Sequence, residues 1–262
     1  RDRLRLAGVN SINWARIMAQ IVYYFTSAAA LGSPSRKISY SVPTGNFGDI
    51  FAGYAASRMG LPIERLIIAT NSNDILARTV QTGRYETRAV IPTSSPSMDI
   101  QISSNFERLL FELGGRDADR VRVLMAGLAQ SGAFTLAAGE HAGLARTFAA
   151  HRVGEDEALA AIRRVHAETG YVSEPHTIAG IEAARRERAS GAARGVPVIT
   201  LATAHPAKFP AAIRQALGVA PAEPSRVAEQ RTKPERISVL PNDVRAIAEF
   251  VSNRTRATRA AA

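Results

Sequence analysis

The chain of 262 residues has no cysteine, which excludes a disulfide framework, a thiol nucleophile and a thiolate metal site. Lysine is nearly as scarce: Lys37, Lys208 and Lys233 stand against 30 arginines. No apolar run is long enough to span a bilayer; the longest, Ile17 to Leu31, is interrupted by Gln20, Thr26 and Ser27. The opening "RDRLRLAGVN" lacks the apolar core of a secretion signal. With no cysteine and no signal, a cytoplasmic address is the default expectation. The five histidines, His141, His151, His166, His176 and His205, show neither HExxH spacing nor dense carboxylate company, so no metal site is expected.

What is present is the composition of an ordinary globular protein, 46% apolar and 21% charged. That length can bury one large core, or one core with a smaller attachment. The net charge of +10 invites a nucleic-acid reading. Stripes that follow phosphates are clustered and interleaved with aromatics, whereas these arginines are dispersed among acids, as in "FERLLFELGGRDADRVRV" and "AARRERAS". They read as a solvated surface. A basic module that binds anions or nucleic acid stays open as a reading from another class, with steeply salt-dependent affinity as its signature.

The pattern along the chain alternates. Ser11 to Leu31 reads as a helix with Asn10, Ser11 or Asn13 as its cap and Gly32 and Pro34 at its end. "ISYSV" (38–42) reads as a short strand, Phe47 to Met59 as a helix stopped by Gly60, and "RLIIAT" (65–70) as a strand buried on both faces. "NDILARTVQTG" reads as a helix capped by Asn73 or Asp74. Further helices are expected at Asn105–Leu113, Asp117–Gln130, Glu155–Glu168 and His176–Ala189, and a later buried strand in "VPVITLAT" (196–203). Alternation with short connections predicts an α/β fold: an open, mostly parallel sheet with flanking helices, a helical insertion and a C-terminal tail. Residues 1–218 form the expected α/β domain. Residues 219–262 hold a linker, a short helix (Asp243–Val251) and a basic tail, "RTRATRAAA", expected to be disordered.

In open parallel sheets, ligands sit at the C-terminal ends of strands. "PTGNFGD" lies there, between the strand at 38–42 and the helix starting near Phe47. Gly45 and Gly48 would let the backbone approach an anion closely and take positive φ. Successive N–H groups and the helix N-terminus would then face that anion, a phosphate by preference. The loop is neither a GxxxxGKS/T P-loop nor a GxGxxG dinucleotide turn. On spacing alone, a plain tight turn competes with the phosphate site.

"SVPTGNFGDIFAGYAASRMGLPI" resembles the cofactor-phosphate loop of the threonine synthase family, which uses pyridoxal 5′-phosphate (PLP) on the fold-type II scaffold. "NSINWARI" (10–17), "SPSMDIQISSNFERLLFEL" (95–113), "GYVSEPHT" (170–177) and "TAHPAKFP" (203–210) resemble segments of the same family in the same order. The resemblance implies that Gly45, Asn46, Phe47, Gly48 and Asp49 cradle the PLP phosphate, mostly through backbone N–H groups. It implies that Thr203 is the hydroxyl partner of the pyridine nitrogen, a neutral partner that moderates the electron sink. It assigns Asn10, Ser11 and Arg16 to the phosphate of the substrate, O-phosphohomoserine; N-capping by Asn10 or Ser11 with Arg16 on the surface is the alternative. His176 and His205 fall in family-like motifs, where packing and supporting roles compete with proximity to the cofactor. Ser97, Asp99 and Asn105 are candidates for the substrate side of the cleft, with helix capping an equal account of Asn105. Ser131 in "GLAQSGAF" has no GxSxG context.

The family's Schiff-base lysine, in a phenylalanine–lysine–aspartate context upstream of the glycine loop, has no match among the three lysines. The serine- and threonine-rich loop for the substrate's α-carboxylate is also unmatched. With Arg1 as its first residue, the chain is expected to be the C-terminal part of a threonine synthase. It would convert O-phosphohomoserine and water to L-threonine and phosphate only together with the N-terminal part. A phospho-lyase of the same family that releases a 2-keto acid is the alternative within this class.

Overall fold

The computed structural model describes residues 7–192 and 195–254. They divide into two units, Ser11–Ala222 and a terminal unit that takes the described residues 7–10 and 223–254. In the larger unit, helix α1 (Trp14–Ala30) is followed by strand β1 (Ile38–Pro43), helix α2 (Gly48–Arg58), strand β2 (Ile63–Thr70) and helix α3 (Ile75–Thr82). Next come strand β3 (Arg84–Glu86), helices α4 (Phe106–Leu113) and α5 (Ala118–Ser131), strand β4 (Ala133–Thr135), helix α6 (Ala138–Thr147) and strand β5 (Phe148–Arg152). Helices α7 (Glu155–Thr169) and α8 (Pro175–Ala189), strand β6 (Val198–Thr200) and helix α9 (Pro210–Leu217) complete it. The terminal unit carries α10 (Ser225–Arg231) and α11 (Val244–Arg254), neither with a buried residue among those described.

The main sheet has the order β5-β2-β1-β6 with every pairing parallel. A separate antiparallel pair joins β3 to β4. Alternation along β2 divides the core. Leu66 and Ile68 face one cluster with Tyr40 and Val42 of β1, Ile17 and Tyr24 of α1, and Ile50 and Ala52 of α2. Ile67 and Ala69 face the other, with Leu159 and Ile162 of α7, Ile178 and Ala183 of α8 and Ile213 of α9. This period of two is what a strand covered on both faces must show. Leu66, Ile67 and Ile68 are all fully buried, each worth about 1.5–3 kcal/mol of apolar burial.

Two small residues set the layer spacing. Gly180 lets α8 lie against the sheet, since a Cβ there would meet Thr200 Cγ2 at 2.8 Å, and the Ser41 hydroxyl donates to the Gly180 carbonyl at 2.6 Å. Gly53 does the same on the other face, where a Cβ would sit 2.6 Å from the Tyr24 ring and 2.9 Å from Leu66 Cδ2.

Several expectations are corrected or narrowed. The first helix starts at Trp14, not Ser11, and of the three cap candidates it is Asn13 that caps it, its side chain accepting from the Ala15 N–H at 2.9 Å. Asp74 is the cap residue of α3, but its carboxylate takes no cap hydrogen bond and instead accepts from Arg78 Nε at 2.9 Å. The late strand is only Val198–Thr200 and is half-buried, because it forms a sheet edge. Thr203 therefore follows the strand instead of ending it. β5, at the other edge, was missed: "FAAHR" combines two alanines, poor strand formers, with a histidine and an arginine. α10 occupies part of the expected linker, and α11 runs to Arg254, past the expected Val251. The rest of the expected disordered tail lies outside the described residues.

Replacing Gly53 by alanine forces Tyr24 or Leu66 aside, and is expected to cost about 1–3 kcal/mol, read as a lower urea midpoint. Gly139→Ala in α6, with nothing within 4 Å of its new Cβ, is the control, expected to be neutral or stabilising by up to about 1 kcal/mol.

Candidate functional site

At the C-terminal edge of the sheet, Thr44 extends the pairing by one bond, its N–H donating to the Ala69 carbonyl at 2.8 Å. The chain must then turn within three residues into α2. Phe47 makes the turn with φ 63°, the left-handed region. The expected positive φ at Gly45 and Gly48 does not occur; among the described residues it falls on Phe47, Arg116 and other glycines. What Gly45 supplies is closeness, since a Cβ there would lie 2.5 Å from the Ser97 carbonyl oxygen. A bulky residue in the left-handed region is strained by about 1–3 kcal/mol. Burial offsets that cost: Phe47 is 1% exposed, edge-on to Phe106 at 5.2 Å and tilted against Phe148 at 5.6 Å.

The loop's carbonyls are turned into the protein. Gly45 O accepts from the Ser103 hydroxyl at 2.7 Å, Asn46 O from Asn105 Nδ2 at 3.0 Å and the Asn105 N–H at 3.1 Å, and Phe47 O from the Phe51 N–H. Asp49 O accepts from the Tyr24 hydroxyl at 2.9 Å. In a planar trans peptide the next residue's N–H points opposite to the carbonyl. Among the described residues the N–H groups of Gly45, Asn46, Phe47, Gly48 and Asp49 make no hydrogen bond to the protein. The last two open a helix, where donors are unpaired by construction.

These five residues line one cavity of about 530 Å³. Ser11 and Arg16 line it too, from the start of α1, and Thr203 lines it from beyond β6. Eight of the nine expected site residues thus surround one space. Asn10 belongs to the terminal unit. Arg16 is exposed, and no carboxylate pairs with it among the described residues. The Ser11 segment is tied to the loop by Asn105, which is fully buried and donates from the same Nδ2 to Ser11 O at 2.9 Å. Asn105 occupies the cap position of α4, but its side chain makes no capping bond. Asp99 lies apart from the cavity lining, accepting from Asn71 Nδ2, Asn73 Nδ2 and the Thr93 hydroxyl at 2.7, 3.0 and 2.6 Å.

The Asp49 carboxylate accepts from the Tyr23 hydroxyl at 2.5 Å and the Tyr24 hydroxyl at 3.2 Å. Burial raises its pKa above the ordinary carboxylate value, an effect reduced by the two tyrosine hydroxyls. Burial first, and then the Asp49 charge, push both phenols well upward, so they remain protonated donors.

Beyond Thr203, the wall includes Ser97, Met98, His176 and Lys208. Buried Glu174, the cap of α8, accepts from the N–H groups of His176 and Thr177 at 2.8 and 2.6 Å. Its side chain also meets His176 Nδ1 at 2.7 Å and the Thr177 hydroxyl at 2.6 Å. Tyr23, Lys208 and Glu174 were missed as site residues. Glu174 stood inside a quoted motif, yet nothing in the sequence shows that a cap residue will face two elements at once.

A family model described as "Threonine synthase, C-terminal" matches residues 177–251. The chain is 48% identical over 249 residues to a threonine synthase of Pseudomonas aeruginosa, across 95% of this chain and 52% of that protein. The chain is a threonine synthase homologue over nearly its whole length. The threonine synthase of Corynebacterium glutamicum is 45% identical over 254 residues, with 94% and 52% covered. The solved PLP-bound threonine synthase of Brucella melitensis superposes with a TM-score of 0.91 at 55% identity, over 97% of this chain and 54% of that one. The chain thus spans about half the length of the threonine synthases it matches, and their α/β architecture is the one described above.

Asn105→Ala removes the donor shared by the Ser11 segment and the glycine loop. It is expected to cost about 2 kcal/mol in urea unfolding. Amide exchange should be faster at Phe51 and Arg16, whose N–H groups bond to Phe47 O and Asn13 O, but unchanged in β2.

Proposed function

We propose that this chain provides the anchoring half of a threonine synthase, the PLP-dependent enzyme that converts O-phosphohomoserine and water to L-threonine and phosphate. The observation that carries the reading is the row of five unpaired N–H groups from Gly45 to Asp49 on one cavity, with a helix N-terminus behind it. That donor set suits a phosphate, and the PLP-bound Brucella melitensis enzyme shares the fold.

On this reading Gly45, Asn46, Phe47, Gly48 and Asp49 hold the cofactor phosphate by their amides, and Thr203 offers its hydroxyl to the pyridine nitrogen. PLP when bound supplies the electron sink for carbanion chemistry. Ser11 and Arg16 hold the substrate phosphate; an arginine fork free of acidic partners is suited to that dianion. Asn10 joins this clamp on the family resemblance alone.

The lysine that moves protons in the family comes, on this reading, from the other half of the enzyme. Lys37 is paired with Glu64 at 2.8 Å, Lys233 belongs to the terminal unit, and Lys208, although it lines the cavity, stands in "HPAKF". The apolar stripe Trp14, Met18 and Val22 on α1, exposed by 45%, 52% and 59%, is where that half would pack. No helix among the described residues is long and apolar enough to cross a membrane.

Calorimetric titration of the 262-residue chain tests the reading. PLP and inorganic phosphate are expected to bind competitively. Gly45→Ala, whose Cβ collides with the Ser97 backbone, should weaken both by about tenfold or more. The chain mixed with PLP and O-phosphohomoserine is expected to yield neither threonine nor 2-oxobutyrate. Binding of neither ligand, beside DNA binding that falls steeply with salt, would overturn the reading.

A further inference from the structure

The cofactor reading requires two anchors a fixed distance apart: the amide loop at one end and Thr203 at the other. The loop is fastened on its own side by Ser103 and Asn105. On the opposite side, the group in a position to set the wall is Glu174.

Glu174 is 1% exposed and accepts four hydrogen bonds, two on each carboxylate oxygen. Oε2 takes the His176 N–H and meets His176 Nδ1 at 2.7 Å. The far nitrogen of that ring, Nε2, accepts from the Ser97 N–H at 3.2 Å. An imidazole that accepts at Nε2 must carry its proton on Nδ1, so Glu174 fixes the tautomer that Ser97 needs. Phe209 holds the ring plane from one side, with centroids 4.8 Å apart. Ser97 in turn is the residue whose carbonyl leaves no room for a Cβ on Gly45.

Oε1 serves the other arm. It accepts the Thr177 N–H and the Thr177 hydroxyl, both at 2.6 Å, and the same hydroxyl oxygen accepts from the Thr203 N–H at 3.3 Å. One oxygen therefore leads through His176 to the turn against the glycine loop, and the other leads through Thr177 to Thr203. Burial by itself would raise the pKa of Glu174, but the hydrogen bonds from His176 and Thr177 outweigh it and leave the carboxyl below its ordinary value. The group is thus an ionised acceptor for all four donors.

We propose that Glu174 is a positioning residue that sets the separation between the phosphate loop and Thr203, through His176–Ser97 on one side and Thr177 on the other. It touches neither cofactor nor substrate. The assignment rests on the PLP reading of the cavity and adds to it the element that fits the cavity to the length of the cofactor.

The test compares PLP, which engages both anchors, with inorganic phosphate, which engages one. Glu174→Gln replaces an acceptor oxygen with a donor NH2 opposite existing donors. In the 262-residue chain it is expected to weaken PLP binding about tenfold while phosphate changes by less than about threefold. Nitrogen-15 NMR of the unmodified chain should show His176 with its proton on Nδ1 and none on Nε2; the glutamine variant should lose that pattern. Equal losses for both ligands, no loss for either, or a proton on Nε2 in the unmodified chain would overturn the assignment and leave the cofactor reading standing. Failure of the unmodified chain to bind PLP overturns both. If Glu174→Gln does not fold, Thr177→Val tests the Thr203 arm alone. It carries the same expectation, selective loss of PLP over phosphate, and the same refutation if the losses are equal.

Discussion

The turn from β1 into α2 depends on a phenylalanine held where phenylalanine rarely goes. Left-handed backbone at Phe47 is unfavourable in isolation, and it persists because the ring is seated between Phe106 and Phe148 in the main core. Once that residue is fixed, the peptide planes on either side are fixed too, carbonyls inward and amides outward. The row of unpaired amides is therefore a by-product of core packing: apolar burial holds these dipoles in an orientation they would not choose in water. On the proposed reading, an amide row prepared in this way would need no reorganisation to meet a phosphate.

Around that turn the polar contacts serve two separate purposes. Ser103, Asn105 and Tyr24 take up the carbonyls, while Asp49 anchors the first turn of α2 to α1 through the two tyrosines. A carboxylate this buried needs donors for its oxygens, and Asp49 has both phenols. Its position at the N-terminus of a helix is favourable for its own charge. The same contacts hold α1 against the loop, so Arg16 is carried to the cavity by a helix instead of a flexible segment.

Much of this is legible in the sequence. The unbroken apolar run of β2 announced a strand covered on both faces, and the Gly45–Asp49 segment fell between a strand and a helix as its pattern suggested. Ordered motifs spread over the chain identified Ser11, Arg16 and Thr203 as companions of that loop. Other features were not legible, for physical reasons. Strain at Phe47 cannot be read from a residue type that almost never takes positive φ; glycine was the reasonable choice. β5 pairs as an edge strand because β2 offers it a partner, not because "FAAHR" has strand propensity of its own. β6 looked buried because its residues are apolar, yet an edge leaves them half-covered. Asn105 and Glu174 both occupy helix-cap positions, and whether a cap residue serves its own helix or a neighbour is decided only by what the tertiary fold brings near.

The cavity sits where the two cores meet. Its amide wall belongs to the side packed by α1 and α2, and the wall with His176 belongs to α8 on the other side of the sheet. Cores are close-packed and change little in shape, but two cores joined by one sheet can still shift relative to each other by small amounts. A ligand that must touch both walls is sensitive to such a shift, and a ligand that touches one is not. Buried hydrogen-bond networks resist the shift best when one group satisfies partners on more than one element, because moving either element then strands a buried donor. Glu174 fills that role on the α8 side, reaching Ser97 and Thr203 through one intermediate each, as Asn105 does on the other by bridging Ser11 and Asn46. Precision at the site is thus a matter of two buried polar nodes, one in each layer, and the apolar packing around them supplies the stability that lets them stay buried.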